Sequence, residues 1–192
     1  AALSGQTITL GSEIVVNGTG GVTVDATALA GGLTVNGGGG GDRIFSIGAA
    51  GSVTLAGLNL TGGLGGGAPS AGFGGAILNG GTLTLTRCTL SGNTAAFAGG
   101  AIANLATLTL RQCTLSGNTA AETFGGGLYN NGSAHLLHCT VAGNNGVESG
   151  GGIYNDNTRS LTLENSLVAG NSAPFSPDIF NGGTLTRAGA NL

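Results

Sequence analysis

The residues that could perform catalysis are few and do not form a recurring cluster. Both histidines, His135 and His138, fall in the same region as Arg111, Asp156 and Glu164. Cleavage of a glycosidic bond needs two acids flanking that bond, or a base placed beside an acid. No pair of acids recurs at a fixed spacing, so we expect solvated strand and turn residues and no catalytic site. A polysaccharide lyase or hydrolase is the alternative.

One short motif suggests a metal. Gly37 to Asp42 matches GGxGxD, the element of calcium-binding β-rolls, a single time. Such sites take their ligands from successive turns of a repeat. One copy therefore predicts a glycine-rich loop, and we expect neither a metal nor a cofactor.

The three cysteines are spaced regularly. Cys88, Cys113 and Cys139 follow one another at 25 and 26 residues, and Ser166 follows at 27. They are expected to form one inward column of small core thiols, in which two neighbours are close enough for one strained disulfide. A zinc site is disfavoured because there is no C-x-x-C pair and one column offers ligands from one side only.

That spacing belongs to a repeat. The segment Gly74 to Ala98 returns from Gly99, Gly125 and Gly150, and a partial copy runs from Asp178. A fixed period in the twenties indicates stacked supersecondary units. Each unit contains a polar–apolar alternation such as Thr82 to Thr86, which is typical of a strand.

The predicted fold is therefore all-β, a right-handed parallel β-helix (β-solenoid). A chain of 192 residues with a period near 25 holds seven to eight coils in one domain, 1–192. Residues 1–51 form degenerate N-terminal coils, and 52–192 form the regular repeats, the last of which stops in mid-unit and suggests a piece of a longer chain. Few charges at the terminal rungs make end-to-end self-association plausible.

Equivalent residues of successive coils form columns about 4.8 Å apart. Leucines fill the inward columns. Two asparagine columns are expected to hydrogen-bond from rung to rung where the coil bends. Their members are Asn79, Asn104, Asn130, Asn155 and Asn181, and Asn93, Asn118, Asn144 and Asn171.

The composition excludes some partners. The chain has five Arg and no Lys, and its net charge is −3. Nucleic acids and anionic membrane surfaces need basic patches, so neither is an expected partner. No apolar run is long enough to span a membrane.

The loops after the second asparagine column vary most between units, and function in solenoids often lies on such loops. They contain the candidate binding residues, which are Phe73, Phe97, Phe124 and Phe175 with Glu122 and Glu148. The phenylalanines either form an exposed strip for a glycan or protein partner, or stack on one another and seal the core.

A second surface is defined by threonine. Thr-x-Thr or Ser-x-Thr pairs recur on one outward face, which is the arrangement of flat ice-binding solenoids. Outward threonine is also what an exposed strand prefers. His135 interrupts the face, and Arg111 and Glu164 adjoin it. Ice binding is therefore an alternative function.

The repeats resemble a known family. GGAILN, GGAIAN, GGGLYN and GGGIYN, each followed by a TLTL-like strand and C/S-T-L-S-G-N, resemble repeats of bacterial secreted right-handed parallel β-helix proteins, relatives of the polymorphic outer-membrane proteins. The FxxN motif of the latter is absent, and LSGN stands in its place. The resemblance implies an exported protein at the bacterial cell surface with an adhesive or passenger role. We expect a non-catalytic scaffold that binds glycan or cell-surface protein weakly and polyvalently.

Overall fold

The computed structural model of the protein describes residues 2–66 and 70–192. They form a parallel β-solenoid of about 7 turns with about 26 residues per turn. The predicted coil length of 25 is close to this value. No helix in the described ranges has the length and hydrophobicity to cross a bilayer.

Each turn contributes one strand to each of three seven-stranded sheets. The first sheet contains Gln6–Thr9, Leu33–Asn36, Leu58–Thr61, Thr89–Ser91, Thr114–Ser116, Thr140–Ala142 and Leu167–Ala169. The second contains Ile14–Val16, Phe45–Ile47, Ile77–Asn79, Ile102–Asn104, Leu128–Asn130, Ile153–Asn155 and Ile179–Asn181. The third contains Gly21–Asp25, Ser52–Ala56, Thr82–Thr86, Thr107–Arg111, Ser133–Leu137, Ser160–Glu164 and Thr184–Ala188. A short fourth sheet contains Thr94–Ala95, Thr119–Ala120 and Asn145–Gly146.

The core lies inside the coil and consists of columns of aliphatic side chains. Leu83 pairs with Leu108, and Leu85 with Leu110, in adjacent strands of the third sheet. All four are fully or almost fully buried. Because the side-chain period of a strand is two, this register turns every intervening threonine outward. A shift of one residue would reverse the two faces.

Both asparagine columns form ladders of hydrogen bonds, and all of their members except Asn181 are buried. In the first, each Nδ2 donates to the Oδ1 of the next rung at 2.8, 2.8, 2.7 and 2.7 Å from Asn79 to Asn181. In the second, the corresponding distances from Asn93 to Asn171 are 3.0, 2.9 and 2.9 Å. These side chains pair the polar groups that the two bends would otherwise bury without partners.

The corner between the third and first sheets needs a left-handed backbone. Arg87, Gln112, His138 and Asn165 occupy it with φ values of 53°, 53°, 54° and 49°. Gly57 has the same conformation in the preceding coil, with φ of 67°. Residues other than glycine are strained in this region of φ. Four successive corners nevertheless have a residue other than glycine.

An internal ion pair ties the first two coils together. The Arg43 side chain is fully buried, and its Nη1 lies 3.0 Å from Oε2 of Glu13. Its Nη2 also donates to the carbonyl oxygens of Gly65 and Ser70. Burial away from water lowers the pKa of the guanidinium, and Glu13 opposes that shift. The repeat pattern does not predict this pair, because it places no arginine inside the coil.

Candidate functional site

The variable loops form an ordered ridge along one edge of the solenoid. The Phe97 N–H donates to the Gly72 carbonyl at 2.7 Å, and the Thr123 hydroxyl donates to the Phe97 carbonyl at 2.7 Å. The Glu148 N–H then donates to Thr123 at 2.9 Å, and the Phe175 N–H to Glu148 at 3.1 Å. We call these five residues and their immediate neighbours the loop ridge. Its backbone is fixed from rung to rung, although the loop sequences differ.

The tips of the ridge expose large apolar side chains. Phe97, Val147 and Phe175 are 42, 45 and 72 % exposed. Glu122 and Glu148 lie among them and are also exposed. The predicted loop residues thus form a line along the solenoid in which apolar and acidic side chains are mixed.

The other two predicted phenylalanines point toward the second sheet. Phe73 is half-buried, and its ring centroid lies 5.9 Å from that of Phe97 and 6.1 Å from that of Tyr129. Phe124 stacks on Tyr154 at 4.4 Å. Phe97 and Phe175 are thus exposed on the ridge, whereas Phe73 and Phe124 cover the outer face of the second sheet.

That outer face has its own aromatic column, which sequence analysis missed. Tyr129, Tyr154 and Phe180 occupy equivalent positions in adjacent strands of the second sheet. Their rings stack at 5.8 and 4.5 Å. The signal was present in GGGLYN, GGGIYN and DIFN, where the aromatic residue follows an inward aliphatic one and must face outward.

A polar group borders this column. The Tyr129 hydroxyl donates to Asp156 Oδ2 at 2.8 Å. Burial, followed by this hydrogen bond, raises the pKa of Tyr129. Burial and the nearby carboxylates of Asp156 and Glu148 raise the pKa of Tyr154. Both phenols therefore remain protonated donors at neutral pH.

No family model, curated protein or solved structure matches the chain. The role of the surface is therefore inferred from its own residues.

The candidate catalytic residues do not converge. His135 Nε2 and Glu164 Oε2 lie 3.3 Å apart on the outer face of the third sheet. Asp156 lies at the second sheet beside Tyr129, and His138 is exposed at the left-handed corner. Within residues 2–66 and 70–192, no three His, Cys, Asp or Glu side chains are grouped to hold a metal ion.

The glycine run Gly37 to Asp42 packs against the following coil. The Leu64 N–H donates to the Asp42 carbonyl at 2.9 Å, and the Gly66 N–H to the Gly41 carbonyl at 2.7 Å. A side chain at Gly37 would meet the Gly62 carbonyl oxygen at 2.6 Å. Close backbone approach explains the glycine at this position.

The three cysteines are buried free thiols in one column. The Cys113 Sγ lies 3.2 Å from the Arg111 carbonyl oxygen and donates to it. Contact with the Cys139 thiol, together with burial, raises the pKa of Cys113 to about 11. Contact with Cys113 and burial raise the pKa of Cys88 as well. Contact with Cys113 instead lowers the pKa of Cys139. The raised pKa values make Cys88 and Cys113 poor nucleophiles at neutral pH.

The threonine face is in register. In the third sheet, Thr54 pairs with Thr84 and Thr84 with Thr109. His135 follows, and after it come Thr162 and Thr186. A second hydroxyl column, two residues earlier in each strand, runs through Ser52, Thr82, Thr107, Ser133, Ser160 and Thr184.

Proposed function

We propose that the protein is a non-catalytic adhesive scaffold of the bacterial cell surface that binds glycan or protein surfaces through the loop ridge. The observation that supports this most strongly is the exposure of Phe97, Val147 and Phe175 on one hydrogen-bonded edge. The extracellular location rests on the resemblance of the repeats to those of secreted β-helix proteins.

The backbone of the loop ridge is preorganised for binding. A loop whose backbone is already hydrogen-bonded loses little conformational entropy on binding, so weak contacts give a net gain. Apolar tips repeat along the rod, and a partner that repeats too can engage several of them at once. Aromatic tips beside Glu122 and Glu148 suit partners with apolar faces and hydrogen-bond donors, which include sugar rings.

The test is a glycan-array screen, followed by a degradation assay on the glycans that bind. We expect binding without degradation, and we expect the double variant Phe97→Ala/Phe175→Ala to lose it. Thr84→Ala/Thr109→Ala, on the third sheet, is the control and should bind like the wild type. Turnover of any bound polysaccharide, or equal binding by the Phe97/Phe175 variant, would refute the proposal.

The in-register hydroxyl columns favour ice binding as a second candidate function. A rigid lattice of threonine methyl and hydroxyl groups can order water over an area that no single side chain covers. The His135–Glu164 pair interrupts this lattice. Thermal hysteresis should appear in the wild type and disappear in Thr84→Leu/Thr109→Leu if ice is the ligand. The Phe97→Ala/Phe175→Ala variant serves as the matched control.

A further inference from the structure

The outer face of the second sheet is not equally filled along its length. In the C-terminal coils its central column is occupied by the rings of Tyr129, Tyr154 and Phe180. In the second coil the same column has Ser46, which pairs with Leu78 of the third coil through adjacent strands. Because serine is small, the space that a ring fills elsewhere is left as a cavity of about 290 Å³.

The cavity is lined by a serine whose hydroxyl is open to it. Ser46 is 4 % exposed and lines the cavity. Its hydroxyl makes no hydrogen bond to any residue in 2–66 or 70–192. A hydroxyl that faces the cavity and has no partner among these residues can donate to or accept from an occupant.

The rest of the lining is neutral and largely apolar. Leu78 and Ile47 are buried in the floor, and Leu105, which is 40 % exposed, forms one lip. Asn17 contributes an amide at the rim, and no described lining residue is charged. An ion would find no counter-charge here. A ligand group with a small apolar part, one acceptor and one donor would match the leucines, Ser46 and Asn17.

We propose that this cavity binds the acetamido group of an N-acetylhexosamine at the end of a glycan. The methyl group contacts Leu78 and Leu105, the Ser46 hydroxyl donates to the acetamido carbonyl, and the acetamido N–H donates to Asn17 Oδ1. The volume is near the lower end of the range for ligand pockets, about 300 Å³, so it admits one group rather than an oligosaccharide. This inference adds a second site to the loop ridge and names a sugar class for it.

The direct test is an NMR titration of the isotope-labelled protein with the methyl glycoside of N-acetylglucosamine. A single small contact predicts a Kd of about 1 mM or weaker, so ligand is added to about 20 mM. We expect the amides of Ser46, Gly48 and Gly80 to shift, and we expect methyl glucoside, which lacks the acetamido group, to leave them unchanged. Equal shifts with both sugars, or none with either, would overturn the inference.

Two pairs of variants locate the effect. Ala49 and Ala50 are adjacent exposed turn residues, but only Ala49 lines the cavity. Ala49→Phe should fill it and abolish the shifts, whereas Ala50→Phe should keep them. Ser46→Ala should weaken binding about tenfold while the melting temperature changes little, because the hydroxyl makes no hydrogen bond to the described residues. Ser46→Thr retains the hydroxyl and should retain part of the binding.

The outcomes separate the two proposals. Shifts confined to the cavity with no binding on the glycan array would refute the adhesive role of the ridge and leave the sugar site standing. Array binding that depends on Phe97 and Phe175 but is unchanged in Ala49→Phe would support the ridge and refute the sugar site.

Discussion

Asn171 donates two hydrogen bonds to one oxygen of Asp178: its backbone N–H and its Nδ2 both lie 3.0 Å from Asp178 Oδ1. In the preceding rungs the same two donors meet the amide oxygen of the next asparagine, as Asn144 does with Asn171. A carboxylate therefore ends a ladder of amides. Asp178, seven positions after Asn171 in the same coil, takes the place of the asparagine that the next coil would supply.

We predict that the acceptor oxygen of residue 178 matters for stability and that its negative charge matters little. Asp178→Asn keeps an oxygen in the same place and should change the free energy of unfolding by less than about 1 kcal/mol, because the bonds to a charged acceptor become neutral ones. Asp178→Ala leaves both donors of Asn171 without that acceptor and should cost about 1–3 kcal/mol. Urea denaturation measures both values. Equal losses for the two variants would contradict the capping role.

The interior of the other ladder should be far less tolerant than its end. Asn104 is fully buried, accepts from Asn79 and donates to Asn130. Asn104→Ala removes both ladder bonds together with the bonds that its Nδ2 donates to the Ala106 and Ser133 carbonyl oxygens, and should cost about 3 kcal/mol or more. Asn181→Ala, at the exposed last rung, should cost less than about 1 kcal/mol. If both variants unfolded at the same urea concentration, the ladder would not contribute to stability.

The left-handed backbone of Gln112 predicts that a glycine at this position stabilises the protein. Gln112 is exposed and has φ of 53°, which only glycine adopts without strain. Gln112→Gly should raise the free energy of unfolding by about 0.5–1 kcal/mol, since relief of strain exceeds the added entropy of the unfolded chain. Gln112→Val, which is β-branched, should lower it. Thermal unfolding of the two variants decides the sign, and destabilisation by glycine would refute the explanation.

The burial of the three thiols predicts slow labelling, and the raised pKa of Cys113 predicts that stability depends on alkaline pH. The pKa of Cys113 is raised from 9.0 to about 11, so folding favours the protonated thiol. That stability is fully present below pH 9 and is lost as the pH rises toward 11. A thiol reagent at pH 8 should label the native protein only as fast as the core opens. The unfolded protein should react at once, and rapid native labelling would contradict the burial of the column.

End-to-end association stays a prediction, and the structure suggests what limits it. Arg187 occupies an inward column, because it pairs with Leu163 in the adjacent strand of the third sheet. A second copy stacked on this end would bury a guanidinium, and inward-pointing charges are a known protection of sheet edges. Arg187→Leu should therefore increase association in light scattering at rising concentration. Thr186→Leu, which faces outward on the same strand, is the control and should not.

Several features followed from the sequence alone. The alternation of Thr82 to Thr86 and the recurrence of Asn79 and Cys88 at near-constant spacing predicted parallel coils, because only stacking buries one apolar face repeated in every unit. The positions of the asparagine ladders followed from the same period. The sequence places the phenylalanines in the loops but does not determine which way their side chains point.

Only the tertiary structure decided what lies outside that period. Arg43 and Glu13 meet across two degenerate coils, and Asp178 replaces an asparagine from a different position in its coil. Tyr129 and Tyr154 stack because the register aligns them, and Ser46 leaves a cavity because it stands where later coils have rings. A repeat fixes the positions that are equivalent, since backbone pairing is periodic. Contacts between positions that are not equivalent depend on how the loops fold back, and no local pattern encodes that.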